Sequence, residues 1–296
     1  MENNLVTICI TTYNRKELLP LTLKSILNQT YANIEVLIVD DFSTDGTKEL
    51  IENELLKIDS RIKYIRHSKN SGLAVGRNSA INNANGKYFT FCDDDDEWEE
   101  NFVEEFVKIA DQYDDSWCFA YEREYKDSLK NIIYQGYTPP VASQFYFVKI
   151  LKEIGGYNEN IKSGVDHDLW LKLAAYNINI IGIPKLLALA NKNALHDRMT
   201  TNEEKRIRGI SASLISWKDL IEENFSMEFY EYFKRNYMYY LDKGFLVNSI
   251  KSKNLKKIFY FLFKIDKIFF IKDILKDRSI SQYKKKSFFT FTKKPV

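Results

Sequence analysis

The 296-residue chain contains only three cysteines, Cys9, Cys92 and Cys118, which are widely spaced and odd in number. No pair has the CxxC spacing, so the sequence argues against a disulfide scaffold or a structural zinc site and indicates a reducing compartment. Eleven glycines and five prolines are too few for a collagen-like or low-complexity protein. The hydrophobic fraction of 45% is too high for a disordered chain, so a buried core is expected.

Long uncharged apolar segments are also missing. The longest such run near the C-terminus, residues 258–263, is about a third of the roughly 18–20 residues that a membrane-spanning helix needs. Glu2 and the charged residues 15–17 do not fit a secretory signal peptide. These features predict a cytoplasmic protein.

Charge is balanced overall, with 43 Lys and Arg against 41 Asp and Glu, but it is unevenly distributed. Residues 251–296 carry 14 basic and 3 acidic side chains, whereas the first 250 residues carry 29 and 38. This basic, aromatic tail is compatible with a helical cap on the rest of the chain or with contact to an anionic inner membrane. Nucleic acid is not an expected partner, because the acidic remainder would repel phosphates.

Short apolar runs alternate with helical patterns through the first hundred residues. Such alternation predicts an open α/β sheet, whose ligands bind at the carboxyl ends of the strands. Asn14 is the expected N-cap of the first helix. The predicted strands are 6–10, 34–39, 62–65 and 88–92, and the predicted helices lie near 19–27, 51–58 and 73–84.

The second half of the chain is predicted in less detail. Residues 117–134 are strand-like and suggest a hairpin, and 144–148 indicate a further strand. Residues 166–176 have a helical pattern, and two short apolar runs follow it. Beyond residue 203 the pattern is helical. We therefore expect a catalytic α/β domain over 1–200 and a helical extension over 201–296.

Polar residues follow three of the predicted strands. Residues 11–15 follow the first strand, Asp40 and Asp41 the second, and Asp93 to Asp96 the fourth. These loops should converge on one crevice at the ligand-binding edge of the sheet. Four adjacent carboxylates repel one another, and hard divalent ions such as Mg²⁺ or Mn²⁺ relieve that repulsion. A solvated acidic turn is the alternative.

Two other acidic pairs also have two interpretations. Asp40 and Asp41 suit either a helix-capping turn or recognition of ribose and base. Asp166 and Asp168 flank His167 at a predicted helix start, where they would cap the helix or supply a general base. The chain has no GxxxxGK[ST], GxGxxG or GxSxG motif, which argues against a P-loop ATPase, a dehydrogenase and an α/β-hydrolase.

Five separated segments resemble, in the right order, the family 2 glycosyltransferases with the GT-A fold. They cover about residues 5–200. The family commonly has Glu-Asp where this chain has Val165-Asp166, and no QxxRW motif follows, as in non-processive members. The segments are VTICITTYNR (6–15), VLIVDDFSTDG (36–46), NSGLAVGRNSAINNAN (70–85), YFTFCDDDDEW (88–98) and GGYNENIKSGVDHDLWLKL (155–173).

The resemblance implies a mixed, open α/β sheet flanked by helices, and a role for each matching residue. Asp166 would be the catalytic base. Asp95 and Asp93 would bind Mn²⁺ or Mg²⁺, with His196 completing the metal shell. The donor nucleotide, its diphosphate or its sugar would contact Thr11, Tyr13, Arg15, Asp40, Asp41, Arg77, Asp93, Asp94 and Arg198.

The implied function is transfer of a sugar from a nucleoside-diphosphate sugar, with UDP favoured, to a hydroxyl of a glycan or lipid-linked glycan. The reaction would be a metal-dependent, inverting single displacement in bacterial surface polysaccharide or lipooligosaccharide synthesis. The alternatives are a catalytically silent sugar-nucleotide-binding or scaffolding protein, and a nucleotidyltransferase. A nucleotidyltransferase would need a basic loop after the first strand to hold a triphosphate. Arg15 and Lys16 are a poor match for such a loop.

Overall fold

A computed structural model describes residues 3–121, 124–134, 144–190, 203–251, 253–257, 260 and 265. Two compact units are present, one of residues 1–131 with 139–196 and the other of 132–138 with 197–296. The first unit is built on a mixed eight-stranded sheet with the strand order β3-β2-β1-β4-β8-β6-β9-β7. Strands β1 to β4 pair in parallel, and β8 is antiparallel to β4, so the predicted open α/β sheet is confirmed.

The strands are β1 Val6–Thr12, β2 Ile34–Asp40, β3 Ile62–Arg66, β4 Tyr88–Asp93, β5 Asp96–Trp98, β6 Trp117–Tyr121, β7 Tyr125–Ser128, β8 Gln144–Phe147, β9 Asn179–Ile183 and β10 Ala188–Ala190. The helices are α1 Leu19–Leu27, α2 Thr47–Leu50, α3 Leu56–Ile58, α4 Leu73–Asn83, α5 Phe102–Ala110, α6 Leu129–Tyr134, α7 Val148–Glu153, α8 Val165–Ala175, α9 Glu203–Ser216, α10 Lys218–Asn224 and α11 Met227–Lys251. A π-helical turn, Ile51–Leu55, joins α2 to α3.

The register of the parallel strands places the three polar loops side by side. Thr12 pairs with Asp40 across β1 and β2, and Thr11 pairs with Asp93 across β1 and β4. Because these residues end their strands, the loops that follow leave the sheet at one edge. The expected convergence of these loops is therefore present in the structure.

Two local predictions were wrong. Strands β6 and β7 do not form a hairpin, because each pairs with β9, and the chain turns into α6 after β7. Asn14 does not cap α1, which begins at Leu19. Instead Asn14 has φ +55°, and its side-chain oxygen accepts a hydrogen bond from the Thr44 N–H at 2.7 Å. Both errors arose because contacts distant in sequence outweighed a local pattern.

The second unit is helical in its described part, with α9, α10 and α11. Trp217 is 1% exposed and packs against the rings of Phe233 and Tyr237, whose centroids lie 6.3 and 6.0 Å away. Aromatic side chains at these spacings supply the apolar burial that joins the helices. None of the helices in the described ranges combines the length and the apolar character needed to cross a bilayer.

A buried carboxylate fixes the edge of the sheet opposite the polar loops. Glu35, on β2, accepts hydrogen bonds from the Thr7 hydroxyl at 2.6 Å, the Lys63 ammonium at 2.7 Å and the Asn85 backbone N–H at 2.7 Å. Burial alone would raise the pKa of Glu35, but these donors outweigh it and lower the pKa from 4.5 to about 2. Glu35 thereby ties β1, β2, β3 and the segment before β4 together.

Replacing Glu35 with Gln should lower the free energy of unfolding by about 1–3 kcal/mol at pH 7, because the charge-assisted bond to Lys63 is lost. Since folding lowers the pKa of Glu35, this stabilisation is complete above about pH 4.5 and is lost as the pH falls towards 2. Urea unfolding of wild type and Glu35→Gln between pH 7 and pH 3.5 should show a difference that narrows below pH 4.5.

Glu52→Gln is the matched control, because Glu52 forms an exposed helical pair with Lys48. Such pairs contribute only a few tenths of a kcal/mol. A Glu35→Gln penalty no larger than the control, or one that does not depend on pH, would contradict the structural role of Glu35.

Candidate active site

The acidic run lies at the carboxyl end of β4. Asp93 is the last residue of that strand, Asp94 and Asp95 form the following turn, and Asp96 opens β5. The Asp94 and Asp96 residues are largely enclosed, with 14% of the Asp94 side chain and 6% of Asp96 exposed. Asp93 is more accessible, with 38% of its side chain exposed, so the run is partly buried and partly open to a ligand.

Burial and the adjacent carboxylates of Asp93 and Asp95 raise the pKa of Asp94 to about 7. The Arg15 guanidinium, 3.9 Å from the Asp94 carboxylate, neutralises the turn only in part. The turn thus has more carboxylates than nearby cations, and Mg²⁺ and Mn²⁺ prefer carboxylate oxygens as ligands. The residues therefore fit a divalent cation.

Within the described residues, no group of three or more His, Cys, Asp or Glu side chains is arranged to hold a metal. Mg²⁺ is usually bound through one or two carboxylates, with the remaining oxygens supplied by substrate phosphates and water. His196 and Arg198, the other residues expected at this site, lie outside the described residues.

Arg77, on α4, connects the acidic turn to a second carboxylate far away in sequence. Its Nη1 donates to Asp166 at 2.5 Å, and its Nη2 donates to Asp93 at 3.2 Å. The guanidinium also lies over the Phe91 ring at 4.3 Å and over the Tyr157 ring at 5.4 Å. Only 1% of the Arg77 side chain is exposed, so it forms the floor of the site.

The protonation state of Arg77 follows from these partners. Burial alone would lower the pKa of the guanidinium, but the carboxylates of Asp166 and Asp93 outweigh it and hold the pKa well above its usual range. A buried charge is tolerated when it is paired and hydrogen-bonded in this way. Arg77 therefore remains a cation that holds two carboxylates of the site at a fixed separation.

Asp166 lies in the first turn of α8 and is 15% exposed. Its Oδ1 accepts the bond from Arg77, which is 89 residues away, whereas the neighbouring Asp168 accepts from the backbone N–H of Asn158 at 3.0 Å. Within the described part of the chain, Oδ2 of Asp166 has no hydrogen-bond partner. This geometry favours the interpretation of Asp166 as a carboxylate available to a ligand, and not as a cap of the helix.

Three consecutive residues of α4 explain how the two halves of the site meet. A Cβ on Gly76 would lie 3.0 Å from the Thr11 methyl group, so glycine allows α4 to approach β1 closely. Arg77 then reaches Asp93 and Asp166. Asn78 makes a two-way contact with the Tyr157 backbone, accepting from its N–H at 2.8 Å and donating to its carbonyl at 2.9 Å. The sequence Gly-Arg-Asn thereby docks the segment that leads to Asp166.

Asp40 and Asp41 are both held by donors of the protein. Asp40 is fully buried and accepts from the Ser43 N–H at 2.8 Å, the Tyr64 hydroxyl at 2.9 Å and Arg66 at 3.2 Å. Asp40 thus fixes its own loop.

Asp41 lies beside that loop and anchors a different segment. It accepts from the backbone N–H groups of Ser71 at 2.8 Å and Gly72 at 2.7 Å, and His67 Nδ1 lies 2.8 Å away. His67 Nε2 in turn lies 2.9 Å from the Ser79 hydroxyl. No local sequence pattern indicates these His67 contacts, because its partners Asp41 and Ser79 are 26 and 12 residues away.

The other described residues predicted to contact the nucleotide lie at the same edge of the sheet. Thr11 is opposite Asp93 in the register, Tyr13 is 46% exposed in the loop after β1, and Arg15 pairs with Asp94. Thus Thr11, Arg15, Arg77, Asp93, Asp94 and Asp166 form one connected cluster, with Asp40 and Asp41 at the adjacent strand end. The predicted residues are brought together and not scattered over different faces.

Comparison with known proteins agrees with this arrangement. The sequence model of the family described as glycosyl transferase family 2 matches residues 7–168, which include every element of the cluster. A putative teichuronic acid biosynthesis glycosyltransferase, TuaG of Bacillus subtilis, is 30% identical over 205 residues, which cover 62% of this chain and 77% of that protein. An uncharacterized glycosyltransferase of Rickettsia conorii is 34% identical over 199 residues, and this chain spans about a third of its length, 32%.

Solved structures show the same fold. The Staphylococcus aureus protein TarS in complex with UDP-GlcNAc aligns with a TM-score of 0.60 and 20% identity, covering 80% of this chain and 71% of that one. The mannosyltransferase PcManGT of Pyrobaculum calidifontis, in complex with GDP-Man and Mn²⁺, aligns with a TM-score of 0.58 and 17% identity, covering 94% and 81%. With the family match over more than half of its residues, the chain belongs to glycosyl transferase family 2.

Proposed function

We propose that this protein transfers a sugar from a nucleoside-diphosphate sugar to a hydroxyl group of a glycan or lipid-linked glycan, with inversion at the anomeric carbon. The observation that carries the proposal is the Arg77 bridge, which places the carboxylate of Asp166 beside the acidic turn of β4. A displacement reaction needs both features together, a base for the attacking hydroxyl and a place where the charge of the leaving group is stabilised.

Asp166 is the proposed general base. Its Oδ1 is held by Arg77, so the carboxylate cannot rotate freely, and Oδ2 would accept the proton of the acceptor hydroxyl. The hydroxyl oxygen then forms a bond to the anomeric carbon on the face opposite the diphosphate. The bond from that carbon to the diphosphate oxygen breaks, and the electron pair leaves with the diphosphate.

The proposed holders of a divalent cation are Asp95 and Asp93, with His196 as a further ligand. A bound Mg²⁺ or Mn²⁺ supplies positive charge where the leaving diphosphate gains negative charge. The residues of the chain contribute the orientation of the turn, since Arg77 holds one oxygen of Asp93 and Arg15 lies beside Asp94. PcManGT and GalNAc-T7 have been solved with Mn²⁺, which supports this metal for the fold.

The proposed donor is a UDP-sugar, and the proposed setting is the assembly of a bacterial surface polysaccharide. TarS binds UDP-GlcNAc, while PcManGT binds GDP-Man, so the fold accommodates both bases. Relatives are named for teichuronic acid and colanic acid biosynthesis, and another for glucosyl transfer from UDP-Glc to a diphosphoundecaprenol-linked sugar. These names support surface glycans and lipid-linked glycans as the acceptor class.

The direct experiment replaces Asp166 with Asn in the full chain. Turnover of the best donor, found by screening sugar nucleotides with Mn²⁺, should fall by about 10²–10⁴-fold, because Asn cannot accept the proton. The dissociation constant for the donor, measured by calorimetry, should change little.

The matched control is Asp168→Asn, an identical change two residues along the same helix. Asp168 is 2% exposed and bonds to Asn158 and Lys172, so this variant should lower the melting temperature and keep most of the turnover of the folded protein. Near-normal turnover in Asp166→Asn would remove it from the role of base. A wild-type protein that binds sugar nucleotides but never turns them over would favour a silent binding protein.

We also propose peripheral contact with an anionic membrane surface through the C-terminal part of the chain. The described residues from the last turn of α11 onward combine exposed apolar and exposed basic side chains within one short stretch. Apolar side chains enter the lipid interface while lysines meet anionic headgroups. The apolar members are Ile250, Leu255 and Tyr260, which are 54%, 69% and 57% exposed, and the basic members are Lys253, Lys256 and Lys257.

Changing Lys253, Lys256 and Lys257 together to Gln should weaken binding to vesicles that contain phosphatidylglycerol. Each basic residue near such a surface contributes about 1 kcal/mol, so the partition coefficient should fall roughly a hundredfold. Flotation of the full-length protein measures this coefficient.

A control variant with the same loss of charge replaces the exposed residues Lys24, Lys57 and Lys87 of the first unit by Gln. It should float like wild type. Equal flotation of the two triple variants would rule out the proposed contact. So would equal flotation of the wild type on neutral vesicles and on vesicles that contain phosphatidylglycerol.

A further inference from the structure

One residue at the ligand-binding edge of the sheet has a backbone conformation that its side chain does not favour. Phe42 follows the Asp40-Asp41 pair and has φ +70°. A bulky aromatic residue in the left-handed region is an outlier, because its Cβ crowds the backbone, and such outliers persist only where neighbouring contacts enforce them. The Phe42 ring nevertheless stays partly accessible to a ligand, since the residue is 39% exposed.

Contacts on both sides of Phe42 enforce the strained conformation. Before it, Asp41 is anchored to Ser71 and Gly72, and its own N–H donates to the Thr12 carbonyl at 2.9 Å. After it, the Ser43 N–H donates to the Asp40 carboxylate at 2.8 Å, and Arg66 Nη2 donates to the Ser43 carbonyl at 2.8 Å. The strain is therefore maintained by several independent bonds.

The same network ties the Phe42 loop to the neighbouring loop that carries Tyr13. The two loops are joined on one side of Tyr13 and Phe42 by the bond from the Asp41 N–H to the Thr12 carbonyl, and on the other side by two bonds of Asn14. The Asn14 N–H donates to the Ser43 hydroxyl at 2.9 Å, and the Thr44 N–H donates to the Asn14 side chain at 2.7 Å. The residues enclosed between these cross-links are Tyr13 and Phe42, two exposed aromatic side chains at the edge where the polar loops meet.

The Arg66 guanidinium lies 5.1 Å from the centroid of the Phe42 ring and is itself fixed by Asp40 and Ser43. A cation over one region of a ring restricts its motion and leaves the rest of the ring accessible. A fixed, exposed ring with a flat accessible surface suits stacking against another flat, π-bonded group.

We infer that Phe42 is a binding residue for the nucleobase of the sugar-nucleotide donor, with its ring contacting the flat face of the base. This inference rests on the proposed function, which supplies the nucleotide. Stacking is tolerant of base identity, because every base has a π-face, so Phe42 contributes affinity while polar groups nearby select the base.

The test compares wild type with Phe42→Gly and Phe42→Tyr by calorimetry with UDP and Mn²⁺. Phe42→Gly removes the ring and relieves the backbone, since glycine adopts a positive φ freely. The dissociation constant for UDP should rise about 5- to 140-fold, the usual range for one stacked base. The melting temperature should not fall, and Phe42→Tyr should bind UDP within about threefold of wild type.

Pyrophosphate with Mn²⁺ is the control ligand, because it has the diphosphate but no base. Its affinity should be the same in wild type and Phe42→Gly. Wild-type affinity for UDP in Phe42→Gly, or an equal loss for UDP and pyrophosphate, would overturn the role of Phe42 while leaving the proposed function intact. If wild type binds pyrophosphate but no nucleoside diphosphate of uridine, guanosine or thymidine, the proposed function and this inference both fail.

Discussion

The site depends on one buried positive charge. Arg77 is almost fully removed from water, and a guanidinium in that position must be paired or the fold loses several kcal/mol. Its partners are Asp93, from the end of a central parallel strand, and Asp166, from helix α8, which lies between β8 and β9 in the chain. The same ion pairs therefore meet the electrostatic requirement of the fold and the geometry that the proposed mechanism needs.

The helix that carries Arg77 does more than present it. Gly76 permits close contact with β1, and Asn78 binds the backbone at Tyr157, so the loop before α8 is fixed directly beside the ion pairs. Lys162 adds a further bond, from its ammonium to the Ser71 carbonyl at 3.0 Å, between that loop and the segment held by Asp41. The segment held by Asp41 and the loop before α8 are thus connected through several short contacts, which limits how far either can move independently.

The sequence predicted the parts of this arrangement that have strong local or topological signals. Unbroken apolar strands such as β2 gave the sheet, and the rule that ligands bind at carboxyl ends of strands brought Thr11, Asp40 and Asp93 together. It did not predict the pairing of β6 and β7 with β9, because strand partners distant in sequence leave no local pattern. The sequence also could not reveal the strained backbone of Phe42. A positive φ is usually predicted from a glycine, and this position has none.

The central claim is that the Arg77 ion pairs mark the place where a divalent cation, the diphosphate of the donor and the proposed general base Asp166 meet. Crystals grown with UDP and Mn²⁺, with anomalous diffraction recorded at the manganese edge, test it most directly. The account predicts one manganese peak at roughly 2.0–2.6 Å from an Asp95 carboxylate oxygen, on the diphosphate of UDP, with Arg77 still bonded to Asp166. A manganese ion and nucleotide bound away from Asp93 and Asp95, or an Arg77 that has left Asp166, would contradict it.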